Sequence, residues 1–224
     1  MKRILYILIT ALSLAGCSVD NYEAPSLTLS GKILDAENNL LVESGGVNAG
    51  TLVKLYENNS TQPLINNTFP EGNFVNSNVF PGTYSYTAEG PFRLSTPDLQ
   101  NVVINDNTEI EIKVIPYVRL KASLIEVSGT TAQIKVEYQK VNDADLLLNL
   151  AVIHSTYPNP NTFSSAGGAA SIENVEAGDL TSGEKTFTIS DLKPGTTYYV
   201  RAGGNVSNPG NYFNYSSQIE IKVP

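Results

Sequence analysis

Two stretches of the chain gather flat rings and short amides with few charges. Residues 203–217 hold Asn205, Asn208, Asn211 and Asn214 with Tyr212, Phe213 and Tyr215, and residues 155–168 repeat the mixture with Tyr157, Asn159, Asn161 and Phe163. Such a set suits sugars, because a ring packs on apolar C–H faces while an amide serves hydroxyls as donor and acceptor. The same Tyr/Asn/Ser/Gly composition also makes adaptable protein-binding loops. It has a plain structural use too: Asn and Gly form turns, and rings can staple a loop to a sheet. Tyr212, Phe213, Tyr215, Tyr157 and Asn211 are the candidate ligand-binding residues, although the absence of Trp counts against a dedicated sugar platform.

Signals for catalysis are weaker. His154 is the only histidine, and a general base needs a nucleophile or a second titrating group beside it. Its neighbour Ser155 falls on the opposite face of a strand, so the two do not pair. Asp143 with Asp145, or Glu173 with Glu176, could in principle serve glycoside hydrolysis, but they read as solvated loop charge. The oxygen-rich runs at 35–39 and 142–145 do not follow the twelve-residue calcium loop. No catalytic residue, metal or cofactor is expected. A single Cys excludes an intrachain disulfide and a Cys-rich zinc site. A net charge of −8 argues against nucleic acid, which requires a basic face.

That single cysteine has a chemistry of its own. Lys2 and Arg3 precede an apolar run at 4–14, and Leu14-Ala15-Gly16-Cys17 is followed at once by polar Ser18. The run is too short to span a bilayer but long enough for a signal peptide. Small residues before the cut and a thiol directly after it resemble the bacterial lipoprotein signal. That resemblance implies residues 1–16 as leader, diacylglyceryl and N-acyl chains on Cys17, and a stable membrane anchor, which takes more than one chain. Loss of Lys2 and Arg3 with the leader makes the mature body two charges more negative than the whole. Ser18 after the Cys, in lipoproteins of this kind, favours the outer membrane, here facing outward, with residues 17–25 as tether.

The elements that would carry these loops are strands. Leu27, Leu29, Gly31 and Ile33 alternate with polar residues, as do Ile110, Ile112 and Val114; Val118, Leu120, Ala122 and Leu124; Ala132, Ile134, Val136 and Tyr138; and Ile219, Ile221 and Val223. Period two means half-buried antiparallel strands. Residues 143–153 are ambiguous, and Leu146-Leu147-Leu148 reads as a buried central strand. Pro116 ends one strong strand before the next begins, and Phe80-Pro81-Gly82-Thr83-Tyr84 is echoed by Lys193-Pro194-Gly195-Thr196-Thr197-Tyr198. The expectation is all-β: two consecutive antiparallel β-sandwich domains, 26–116 and 117–224, packed end to end across a short hinge at 115–117.

Gly31-Lys32-Ile33-Leu34-Asp35, Val53-Lys54-Leu55-Tyr56, Gly72-Asn73-Phe74 and Phe80-Pro81-Gly82-Thr83-Tyr84 resemble the carboxypeptidase-regulatory-like (prealbumin-like) sandwich, with Glu71 where that pattern has Asp and an insertion at 35–50. Residues 192–202 resemble the E–F corner and F strand of a fibronectin type III sandwich, with Tyr198 as corner tyrosine, although the strand-B Trp is missing. With the lipoprotein signal, the combination is similar to the lipoproteins of domain of unknown function 3823 from polysaccharide-utilisation loci. The resemblance implies a non-catalytic outer-membrane protein whose partners are the lipid membrane and a glycan. Its alternative is a spacer or assembly subunit binding a neighbouring polysaccharide-uptake protein. A glycoside-active enzyme is a remote third.

Overall fold

The computed structural model describes residues 23–46, 50–58, 60–96, 99–162 and 182–224, and the backbone of 171–176. The expected leader at 1–16, Cys17 and Phe163 lie outside the described residues, as do the side chains of Glu173 and Glu176. Every regular element described is a strand.

The first eight strands are β1 (Leu27–Asp35), β2 (Leu52–Glu57), β3 (Leu64–Asn67), β4 (Asn73–Val79), β5 (Gly82–Glu89), β6 (Phe92–Leu94), β7 (Gln100–Ile104) and β8 (Thr108–Pro116). They form two four-stranded sheets, β4-β1-β8-β6 and β3-β2-β5-β7. Leu29, Ile33, Phe74, Ile110, Ile112 and Val114 of one sheet pack against Val53, Leu55, Tyr84 and Tyr86 of the other. Burial of these alternate positions drives the sandwich, at roughly 1.5–3 kcal/mol for each large side chain. One ladder departs from the antiparallel expectation: β1 and β8 run parallel, Leu29 opposite Thr108 through Asp35 opposite Val114. The strand that opens this half and the one that closes it lie side by side, and the intervening strands supply the long crossover that a parallel pair requires. Tyr84 is buried with its hydroxyl 3.0 Å from the Phe80 carbonyl oxygen.

The remaining strands are β9 (Val118–Ser128), β10 (Thr131–Lys140), β11 (Leu147–Ser155), β12 (Ser171–Glu176), β13 (Gly183–Ile189), β14 (Thr197–Val206), β15 (Asn214–Tyr215) and β16 (Ile219–Lys222). Sheet β13-β10-β9 faces sheet β12-β11-β14, which β15 and β16 extend along β14. Ile134, Val136, Phe187 and Ile189 meet Leu150, Val152, Val200 and Ile221 in a second core. Among the described residues no ladder joins a strand before Tyr117 to one after it. Tyr198 is buried, and its hydroxyl accepts the Lys193 amide at 3.2 Å, holding the turn below it.

Alternation misreads one position. Leu124 is 42% exposed although it stands opposite the buried Ile134, and just beyond it a bulge sets Glu126 opposite Gln133. The extra residue reverses parity from there to the strand end, so Val127 packs on the core. Along β11, by contrast, both faces are buried from Leu150 to Ser155, as befits a strand flanked by β12 and β14. One face looks into the sandwich. Ala151 and Ile153, on the other, join Tyr215 in a small cluster of their own.

Candidate functional site

What lies over that outer cluster is the connection between β1 and β2. Leu41 bridges back to Leu34 and the Val42 amide donates to the Ile33 carbonyl, which holds residues 36–46 as a strap along the first half. Its far side meets the second half. Arg201 of β14, fully buried, donates from Nη2 to a Glu43 carboxylate oxygen at 2.8 Å, from Nη1 to the Ser44 carbonyl at 3.1 Å and from Nε to the Ser216 carbonyl at 2.9 Å. Its guanidinium also sits 4.6 Å from the centre of the Tyr215 ring. Burial pushes Arg201 below its ordinary range while the Glu43 charge pulls it back; a guanidinium stays protonated throughout.

Two further arginines do the same elsewhere on the seam. Arg93 of β6 grips Asp145 with two bonds of 2.9 and 2.6 Å and lies over the Tyr117 ring. Arg119 of β9 holds Asp35 at 2.6 and 3.1 Å and Glu37 at 2.5 Å. Burial raises the Asp35 carboxyl, but the hydrogen bonds and charge of Arg119 outweigh it and hold Asp35 below the carboxylate range. Apart from Arg3 the sequence has only these arginines, and each bridges the two halves. Planar, bidentate guanidinium is the group best suited to an interface ion pair.

The amides and rings singled out from the sequence distribute themselves around this seam. Tyr215 is buried, with its hydroxyl 2.8 Å from Thr162 Oγ1, and Phe213 packs beside it, ring centres 6.3 Å apart. Asn161 Nδ2 donates to the Gly45 carbonyl at 2.7 Å and Asn159 Nδ2 to Glu71 at 3.0 Å, both across the seam. Asn214 accepts the Val118 amide at the joint itself. Asn149, Asn205 and Asn211 form a chain of side-chain amide bonds of 2.9 and 2.8 Å, while Asn208 accepts the Tyr212 amide at 2.9 Å. These amides are therefore committed to shaping loops. Tyr157 is 55% exposed.

Tyr212 is the candidate that lines a cleft between the two halves. Its ring folds back over Gly210, where a Cβ would come within 2.0 Å of the ring; glycine alone allows that approach. Its hydroxyl donates to Glu89 of β5 at 3.1 Å. Tyr212, Pro209 and Gly210 from one half and Glu89, Gly90 and Phe92 from the other line a cleft of about 250 Å³, with Tyr117 also in its lining. Glu89 also pairs with Lys54, whose hydrogen bond holds the carboxyl below its ordinary range against the opposing effect of burial. Tyr212 is raised by burial and by the Glu89 charge, so it remains a neutral donor. Glu89 and Tyr117 carried no local signal in the sequence, because Glu89 meets its partner 123 positions away.

His154 lies inside the second sandwich, edge-on to Tyr198 at 5.8 Å, and its Nδ1 has no partner among the described residues. Ser155 instead caps the Tyr157 amide at 3.0 Å. Burial lowers the His154 pKa, so the fold favours neutral imidazole and the unfolded chain binds the extra proton. Stability should hold above the ordinary histidine value and fall as pH drops below it, by at most about 1.4 kcal/mol per pH unit. With one histidine in the chain, urea unfolding between pH 7 and 5 checks this directly: His154→Gln should flatten the slope, and an unchanged slope would reject the assignment.

No family model matches the chain, and neither does any curated protein. Solved structures do match. A DUF3823 family protein from Bacteroides uniformis aligns with a TM-score of 0.75 at 19% identity, and one from Parabacteroides merdae with 0.73 at 16%; each alignment covers 89% of this chain and 100% of the other. A third structure, from Bacteroides uniformis and provisionally described as a carbohydrate-binding protein, aligns at 0.69 and 21% over the same spans. The chain thus shares the all-β sandwich fold of DUF3823 family proteins along most of its length.

Proposed function

We propose that this protein is a non-catalytic, lipid-anchored accessory protein of the outer membrane that captures glycan in the cleft between its two halves. The reading is carried by Tyr212 and Glu89 meeting across the seam beside open space. A ring can pack on a sugar face while the adjoining carboxylate accepts its hydroxyls, the arrangement in which apolar area and directional bonds act together. The cleft has the size of one sugar unit, which fits an accessory binder better than an enzyme enclosing a long chain. Glu89 is the single carboxylate among the described residues of its lining, and Lys54 holds it. The structural neighbour described as carbohydrate-binding supports the same reading. Cys17 would supply the anchor.

A second reading draws on the seam itself: rings and amides of both loops bind one half to the other, as a rigid spacer for a neighbouring uptake protein would need. A glycan array on residues 18–224 separates the two. Tyr212→Ala should weaken binding by at least about tenfold, equivalent to ~1.4 kcal/mol, with the thermal transition unchanged. Unaltered binding rejects the site, and no binding by either protein favours the spacer. In cells, labelling with a palmitate analogue should mark the protein and be lost in Cys17→Ser; label persisting in the variant rejects the anchor.

A further inference from the structure

Charge in the cleft is distributed in a way that selects among glycans. Glu89 is the one ionised side chain among the described residues of its lining. The two cations nearby are occupied: Lys54 by Glu89 itself, and Arg93 by both oxygens of Asp145 with its flat face on Tyr117. A carboxylate or sulfate group on a sugar would therefore meet a carboxylate and no cation among the described residues of the lining, a like-charge contact that opposes binding. The chain as a whole carries −8, which slows the approach of any polyanion. A hydroxyl, in contrast, can donate to Glu89, whose side chain is 45% exposed, and can donate to the Tyr212 oxygen, whose own proton is given to Glu89.

We infer that the seam cleft takes uncharged glycans and turns away uronic-acid and sulfated ones, with Glu89 as the polar anchor that enforces the choice. This rests on the reading of the cleft as the glycan seat. The wider groove over Arg119, Lys121, Glu137 and Glu184 offers only Tyr138 as a ring, so it is a poorer seat for a sugar face.

The test uses residues 18–224, as wild type, Tyr212→Ala and Glu89→Gln, against two panels: uncharged glucan, mannan and galactan oligosaccharides, and oligosaccharides bearing uronate or sulfate. The wild type should bind within the first panel and not the second. Glu89→Gln keeps an acceptor but frees Lys54, so it should lose about tenfold on the uncharged ligand, the worth of a charge-assisted hydrogen bond, and gain measurable binding to the acidic panel. Wild-type preference for acidic oligosaccharides, abolished by Tyr212→Ala, would overturn the charge inference and leave the seat standing. Binding that neither variant alters would remove the seat and the inference with it. Retained thermal transitions in both variants guard against loss through misfolding.

Discussion

Arg201→Met is expected to destabilise the folded protein by about 3 kcal/mol, the low end of what breaking a buried ion pair costs. Methionine replaces the volume of the guanidinium stem and restores none of its bonds. The carbonyls of Ser44 and Ser216 lose their donor, and Glu43 loses its cation. The low end applies because the Glu43 side chain is 16% exposed and keeps its bond from Ser217, so water takes up part of its charge. Arg93→Ala provides the comparison. Its bidentate pair with Asp145 has similar geometry, but the Arg93 side chain is 42% exposed, so less than about 1 kcal/mol is expected. Urea unfolding of both variants decides the matter. Equal costs would mean that burial of Arg201 adds nothing to the latch. Glu43→Gln in the Arg201→Met background should recover part of the loss, because it removes the stranded charge.

The difference between these two arginines was invisible in the sequence, whereas much of the scaffold beneath them was plain. Alternation located the strands because the side-chain period of a half-buried strand is two, and Ile110, Ile112 and Val114 point inward as their spacing requires. Alternation failed past Leu124, where one extra residue reverses parity without leaving any mark in composition. Leu146-Leu147-Leu148 read as a buried central strand, and Leu147 is buried at the start of β11, but Leu146 lies before that strand and is 44% exposed; what buries the outer face of β11 was not legible. Residues 35–50 read only as an insertion, and the contacts they make reach Asn161 and Arg201, more than a hundred positions on. The loop amides show the deeper limit. Asn159, Asn161, Asn205, Asn211 and Asn214 have the chemistry for sugar hydroxyls and equally the chemistry for backbone groups of a neighbouring half. Only geometry distinguishes the two uses, and it assigns these five to internal bonds while leaving Tyr212 at the edge of open space. Glu71 is a similar case: where the resemblance has Asp, the longer side chain reaches Asn159 across the seam.

Gly72→Ala should be at least as damaging as Arg201→Met, and for a reason that links the two. Gly72 closes the turn before β4 at φ +86°, and a Cβ there would lie 2.4 Å from the Val42 carbonyl oxygen. The left-handed conformation alone costs an L-residue about 1–2 kcal/mol. Gly129→Ala, at φ +57° with nothing within 4 Å, measures that part by itself. The remainder comes from backbone meeting backbone, which no rotamer change relieves. The turn cannot retreat freely, since the Gly72 carbonyl accepts the Ile33 amide at 2.9 Å and Pro70 accepts the Ser44 amide at 2.8 Å. The strap must shift instead, and the strap carries Glu43 and Ser44 to Arg201. A loss of about 3 kcal/mol or more is expected, with faster hydrogen exchange at the amides of Val42 and Ser44. Because both substitutions open the same contact, the Gly72→Ala, Arg201→Met double variant should lose clearly less than the sum of the single losses. Strict additivity would show that the turn and the latch are independent, and that the strap does not transmit the fold of one half to the other.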